Sequence, residues 1–110
     1  MPAIFEVKSN AEGLYEFNFI NSKGSLVLMS AMFENKEQAE QAIKDVRVGS
    51  LMSQQIAKGK TPDGDCFFVI KDTGGNIIAK SVLFDNEMVF DNALHSVKDN
   101  ACVAEIKYAA

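Results

Sequence analysis

The sequence predicts an α+β domain of two tandem βββαβ repeats. They form one antiparallel sheet with both helices on one face. Three observations carry this expectation. Twice along the chain, apolar and polar residues first alternate and then give way to apolar residues every three or four positions, so strands precede a helix twice. A shift of the chain against itself by 51 brings Gly13 onto Gly64, Phe17 onto Phe68, Gly24 onto Gly75, Ser30 onto Ser81, Phe33 onto Phe84, Asn35 onto Asn86, Ala42 onto Ala93 and Val46 onto Val97. That offset holds without a gap, as an internal duplication requires. Finally, no Pro- or Gly-rich linker separates the halves. Residues 1–110 are therefore expected to be one domain, with repeats at about 4–55 and 56–108.

The elements follow in order. Phe5 and Val7, flanked by Glu6 and Lys8, form a short first strand. Tyr15, Phe17 and Phe19 alternate with Glu16 and Asn18, a half-buried aromatic strand whose counterparts are Cys66, Phe68 and Ile70. Asn21 to Gly24 and Asp72 to Gly75 are turn clusters, followed by β-rich runs from Leu26 to Met32 and from Ile77 to Leu83. Thr61-Pro62-Asp63-Gly64 is a further tight turn. Asn35 caps a helix with Ala39, Ala42, Ile43 and Val46 on one face, Gln38 completes a variant capping box, and Gly49 supplies the stop. Asn86 caps the second helix, whose stripe is Phe90, Ala93, Leu94 and Val97. Cys102, Ala104, Ile106 and Tyr108 alternate as a last strand. Residues 51–58 match both ends of the repeat and are expected to serve as the last strand of one copy and the first of the next. A unit of about 50 residues has a weak core alone, and a shared sheet remedies that.

Composition narrows the function classes. With 47% apolar residues, 24% charged residues and a net charge of −4, the chain is neither disordered nor a nucleic-acid binder by bulk charge. Arg47 is the single arginine, and Lys58, Lys60, Lys71 and Lys80 are scattered among acids. No apolar run is long enough for a membrane span, and residues 1–8 show no basic region followed by an apolar stretch. The cytoplasm is therefore the expected compartment, with Cys66 and Cys102 as free thiols and small buried apolar residues.

No pattern of catalytic, cofactor-binding or metal-ligating residues emerges, so none is expected. His95, the only histidine, falls on an exposed helix slot, and its spacing from the cysteines matches no zinc pattern. Lys58-Gly59-Lys60 and Gly74-Gly75-Asn76 lack the order of phosphate-binding loops and are assigned to turns. Ser30 and Ser81 are the most interesting polar residues, each late in an apolar strand. Their hydroxyls either bond backbone at the strand end or line a shared groove related by pseudo-symmetry. Met29, Met32 and Met52 are read as core filler, and Phe33 and Phe84 as anchors between helix and sheet.

The sequence resembles the YegP-like family of small bacterial proteins of unknown function. The resemblance lies in Tyr15-Glu16-Phe17-Asn18-Phe19, a turn ending in Gly24, Ser30-x-x-Phe33 and Ala42-Ile43-Lys44-Asp45-Val46-Arg47. It recurs in Phe68-Val69-Ile70-Lys71, Ser81-x-x-Phe84 and Ala93-Leu94-His95-Ser96-Val97-Lys98. Phe33 and Phe84 stand where the family often has Tyr, and Ala42 and Ala93 where it often has Gly. The resemblance implies a βββαβ unit, found as a dimer of single copies or as a fused tandem, with C-terminal strands exchanged between the halves. It implies no catalytic residue. The expectation is a non-catalytic binding or assembly module, a monomer imitating a dimer, that takes a peptide or protein through its sheet face or an edge strand. The alternatives are an enzyme with a site near Ser30, Ser81 or Cys66, and a weak nucleic-acid binder using Lys58, Lys60 and Lys80.

Overall fold

Short turns and alternating strands fold this chain on itself in a computed structural model that describes residues 3–109. The elements are β1 (Ile4–Ser9), β2 (Tyr15–Ile20), β3 (Leu26–Ser30), α1 (Lys36–Gly49), a 3-10 turn at Ser53–Gln55, β4 (Ile56–Lys60), β5 (Cys66–Lys71), β6 (Ile77–Ser81), α2 (Glu87–Asn100) and β7 (Glu105–Tyr108). The bounds of β5, β6 and α2 are those of β2, β3 and α1 displaced by 51. The hairpin turns share one chemistry. Asn21 Oδ1 accepts from the backbone N–H groups of Lys23 and Ser25, and Asp72 Oδ1 accepts from those of Gly74 and Asn76. Gly24 closes the first turn at φ 83° and Gly75 the second at φ 86°, a region closed to most side chains.

The strands make one sheet in the order β4-β5-β6-β3-β2-β1-β7. The halves join through β3 and β6, where Leu28 faces Ser81, Met29 faces Lys80 and Ser30 faces Ala79. Met29 thus meets its own counterpart under the shift of 51, which places a local two-fold axis at that pair. The sheet is not wholly antiparallel, contrary to expectation. β7 runs parallel to β1, with Phe5 beside Ile106 and Val7 beside Tyr108. A strand that follows a helix and returns to the far edge arrives in the direction the crossover dictates.

Both helices lay their apolar stripes on the same face of this sheet. Phe5, Val7, Phe17, Phe19, Leu28, Phe68 and Ile70 form one buried cluster with Ala42, Ile43 and Val46 of α1 and Phe90, Leu94 and Val97 of α2. Phe5 holds its ring centroid 5.8 Å from Phe17 and 5.0 Å from Phe19, and Phe68 lies 5.9 Å from Phe90. Burial of such side chains stabilises by roughly 1.5–3 kcal/mol each. Each helix is capped as its sequence predicts: Asn35 Oδ1 accepts from the Gln38 N–H and Asn86 Oδ1 from the Val89 N–H, each at 2.8 Å. Gln38 reaches back to the N–H of Glu34, one residue before the cap. Phe33 stacks on Phe17, and Phe84 meets Phe90 edge-on.

Several local expectations are corrected. Gly49 does end α1, but without a left-handed backbone: the glycines with positive φ are Gly13, Gly24, Gly64 and Gly75. Its value is close approach, because a Cβ there would stand 2.9 Å from Ile70 Cγ2 and 3.2 Å from the Lys71 carbonyl oxygen. Met29, Met32 and Met52 are exposed rather than core filler. Cys66 is buried, but Cys102 is exposed in the turn after α2, and β7 starts only at Glu105. Lys58-Gly59-Lys60 lies in β4, not in a turn, with the Phe67 ring across the glycine.

The double use of residues 51–58 also meets a limit. Residues 54–57 are the counterparts of β7, yet Ile56 and Ala57 already belong to β4. A residue cannot lie in two strands, so the segment serves as the first strand of the second half. Among the described residues, only β7 crosses between the halves. Arg47 latches this crossing. Its Nε donates to the Ala101 carbonyl at 3.2 Å, its Nη2 donates to the Ala104 carbonyl at 2.7 Å, and its guanidinium carbon lies 5.7 Å from the Phe5 ring centroid. The Ala101 carbonyl closes α2, where a cation is favoured.

Two substitutions test this account by urea denaturation. Gly49→Ala should destabilise by about 1–3 kcal/mol through overpacking against Ile70, despite the better helix propensity of alanine. Arg47→Met keeps the apolar stem and strands two carbonyls, for an expected loss of about 1.5–3 kcal/mol, with faster amide exchange concentrated in β7.

Candidate functional site

The sequence singles out Ser30 and Ser81, and the structure commits both to backbone. Ser30 Oγ accepts from the Phe17 N–H at 2.8 Å and donates to the Ala31 carbonyl at 2.7 Å. Ser81 Oγ accepts from the Phe68 N–H at 2.9 Å and donates to the Val82 carbonyl at 2.8 Å. Each hydroxyl stands in for a ladder bond where its strand leaves the sheet towards the helix. Ser81 is only 1% exposed, so it lines no groove, whereas Ser30 borders a shallow hollow with Met29 and Ile77.

The two ends of the sheet differ. At the β1 end, the groove between strand and helix is filled by β7. The Ala109 N–H donates to the Val7 carbonyl at 2.9 Å. The Tyr108 hydroxyl donates to the Glu40 carboxylate, and Lys36 Nζ lies 4.3 Å from the centre of the Tyr108 ring. The bond to Glu40, with a smaller contribution from desolvation, raises the Tyr108 pKa.

At the opposite end, β4 has the same register to its inner neighbour. Ile56 faces Ile70 and Lys58 faces Phe68, as Phe5 faces Phe19 and Val7 faces Phe17. The backbone groups of Ile56 and Lys58 therefore point outward, as those of Phe5 and Val7 do. Among the described residues, no strand pairs with that outer edge. Beside it opens a hollow of about 430 Å³ lined by Lys58, Gly59, Lys60, Cys66, Glu87, Phe90 and Asp91. Its volume falls in the range of roughly 300–1,000 Å³ common to binding clefts. Shifted by 51, its lining corresponds to Val7, Lys8, Ser9, Tyr15, Lys36, Ala39 and Glu40, of which Val7, Lys36 and Glu40 meet Tyr108. Lys60 Nζ is bonded to Glu87 at 3.2 Å, which raises the Lys60 pKa.

Other sequence candidates scatter. Lys58 and Lys60 share the helix-facing side of β4. Lys80 pairs with Val69, which pairs with Ala57, so it stands on the other side of the sheet, with Nζ 4.9 Å from the Phe67 ring centroid. His95 is exposed on α2. Among the described residues, no three His, Cys, Asp or Glu side chains stand close enough to hold a metal ion, and no helix is long and apolar enough to cross a membrane. The sequence marks Phe90 only as part of the apolar stripe of α2 and does not single out Glu87 or Asp91. The signal for them was the middle segment that matched both ends of the repeat, since one of its two places had to stay empty.

The Tyr108 contact gives a pH test of the occupied groove. Glu40 favours the neutral phenol, so the folded pKa lies above the unfolded one. The stabilisation is complete below the ordinary tyrosine value of about 10 and is lost as pH rises through the raised value. Urea midpoints of the wild type and Tyr108→Phe should therefore differ at neutral pH and converge at alkaline pH, and phenolate absorbance should titrate late for Tyr108.

No family model matches the chain. Individual proteins do. It is 28% identical to the UPF0339 protein YegP of Yersinia pestis over 103 residues, covering 94% of this chain and 92% of that protein. It is 28% identical to a UPF0339 protein of Pseudomonas aeruginosa over 98 residues, 89% of each. The solution NMR structure of a UPF0339 protein from Shewanella oneidensis superimposes with a TM-score of 0.92 at 23% identity, covering 98% of this chain and 92% of that one. That of YegP from E. coli, described as a protein of unknown function, gives 0.90 at 24% identity, covering 98% and 93%. Across most of its length, and in its α+β architecture, the chain resembles the UPF0339, or YegP-like, proteins.

Proposed function

We propose that this protein is a non-catalytic binding module of the bacterial cytoplasm that takes an extended segment of another protein by strand addition along β4. The observation that carries the reading is the unequal fate of two like edges: β1 is paired by β7, while the outer edge of β4 has no partner among the described residues. An unpaired edge beside a cleft supplies both parts of strand-addition recognition. Outward N–H and C=O groups give affinity, and the cleft reads alternate side chains. The backbone bonds of Ser30 and Ser81 support placing the function at β4 rather than in chemistry at those serines. The local two-fold at Met29 and Lys80 supports a monomer that imitates a dimer, and the two free thiols fit a reducing compartment.

Lys58→Pro provides the test, because it removes an outward N–H from an edge strand without touching the inner ladder. Peptides selected from a displayed random library should bind the wild type, weaken about tenfold or more with Lys58→Pro, a loss of roughly 1.4 kcal/mol, and keep their affinity with Lys58→Ala. Light scattering should find a monomer at micromolar concentration. Selected peptides that ignore Lys58→Pro, or a stable higher oligomer, would contradict the proposal.

A further inference from the structure

The geometry points to a specific side chain for the β4 cleft: we propose that it receives an unphosphorylated tyrosine, two residues after an aliphatic one, on a partner segment running parallel to β4. This rests on the strand-addition reading above and adds its specificity. The internal two-fold supplies the template. In the filled groove, Ile106 lies beside Phe5 and Tyr108 beside Val7. The corresponding places in the open groove lie beside Ile56 and Lys58, the second of them at the 430 Å³ hollow.

The lining keeps the chemistry of the Tyr108 site while changing which residues supply it. Tyr15 and Ala39 give way to Cys66 and Phe90, so the floor stays apolar. Glu40, which accepts the Tyr108 hydroxyl, gives way to Asp91, again a carboxylate. The cation changes sides. Lys36 of α1 becomes Glu87 of α2, while Ser9 of β1 becomes Lys60 of β4, and Glu87 holds the Lys60 ammonium at 3.2 Å. An apolar floor, a carboxylate acceptor and a nearby cation suit an aromatic ring with a hydroxyl at its tip. An aliphatic side chain would leave Asp91 unused, and a phosphotyrosine would set its charge against Asp91 and Glu87.

The chain carries a segment of the required form, Ile106-Lys107-Tyr108, and a synthetic peptide of residues 103–109 is the probe. Titrated into the isotope-labelled full chain, it should shift the amides of residues 56–60 and 87–91. Its Tyr108→Ala form should bind about tenfold more weakly or worse and its Tyr108→Phe form severalfold more weakly, as expected for a lost ring and a lost hydrogen bond to a charged group. The phosphotyrosine form should not bind. Asp91→Asn should shrink the difference between the Tyr and Phe peptides. If the Tyr108→Ala peptide binds β4 as well as the parent, the tyrosine specificity is wrong while strand addition stands. If neither peptide binds at millimolar concentration although library peptides do, the motif is wrong. If no extended peptide of any sequence binds, strand addition fails as well. Shifts confined to β1, from displacement of β7, or concentration-dependent shifts at residues 56–60 without peptide, from a second copy seated there, would each overturn the proposal.

Discussion

The pairing of β3 with β6 is the interaction on which the rest of the structure depends. Each half has one helix stripe to cover and three strands ahead of its helix, too little to exclude water from both faces of a core. Their junction at Met29 and Lys80 turns two thin units into one sheet, with Phe17, Phe19, Phe68 and Ile70 in one cluster with both helices. The buried Ser81 and the half-buried Ser30 belong to this junction. Leu28 faces Ser81 and Ser30 faces Ala79, so each hydroxyl sits beside the seam and satisfies a backbone N–H of the neighbouring strand. An apolar residue there would leave the Phe17 and Phe68 N–H groups without that partner, which accounts for serine recurring at the same place in both halves.

A two-fold seam ought to make the ends of the sheet alike, and covalent connection prevents it. Residues 54–57 would have to pair alongside β4 while Ile56 and Ala57 are part of β4. The asymmetry therefore follows from the short connection between α1 and β4. It also explains why Arg47 has so directed a role. It grips the one crossing, from the end of α2 to β7, through two carbonyls, and its counterpart Lys98 has no second crossing strand to hold.

Much of this was legible in the residues because the signals were local and repeated. Alternation marked β2 and β5, the helical period marked Ala39, Ala42, Ile43 and Val46, and asparagine marked both caps. The failures have a common cause in tertiary geometry. Gly49 ends α1 as its place in the sequence suggests, but the reason glycine is required there comes from Ile70 and the Lys71 carbonyl, far along the chain. Cys102 continues a period-two pattern, yet the chain needs those residues to turn out of α2, and the strand begins later. The parallel direction of β7 and the cleft at Glu87 and Asp91 depend on which edge the last strand reaches. No local pattern encodes that, although the double match of residues 51–58 held the conflict in plain view.

An open strand edge is a hazard as well as an opportunity, and the composition of β4 reconciles the two. Edges that must not aggregate are kept short and carry lysine. β4 spans Ile56–Lys60, with Lys58 and Lys60 on the helix side and Gly59 covered by the Phe67 ring on the other. A flat strand from an unrelated sheet would meet those two ammonium groups without compensation. A segment entering beside α2 would instead find Lys60 already held by Glu87, Asp91 free to accept a donor, and Phe90 beneath. Lys60, one of the lysines that discourage indiscriminate pairing, can thus help to orient a segment with the right side chain. Selectivity of this kind needs a cleft next to the edge, and the fused connection leaves one beside β4.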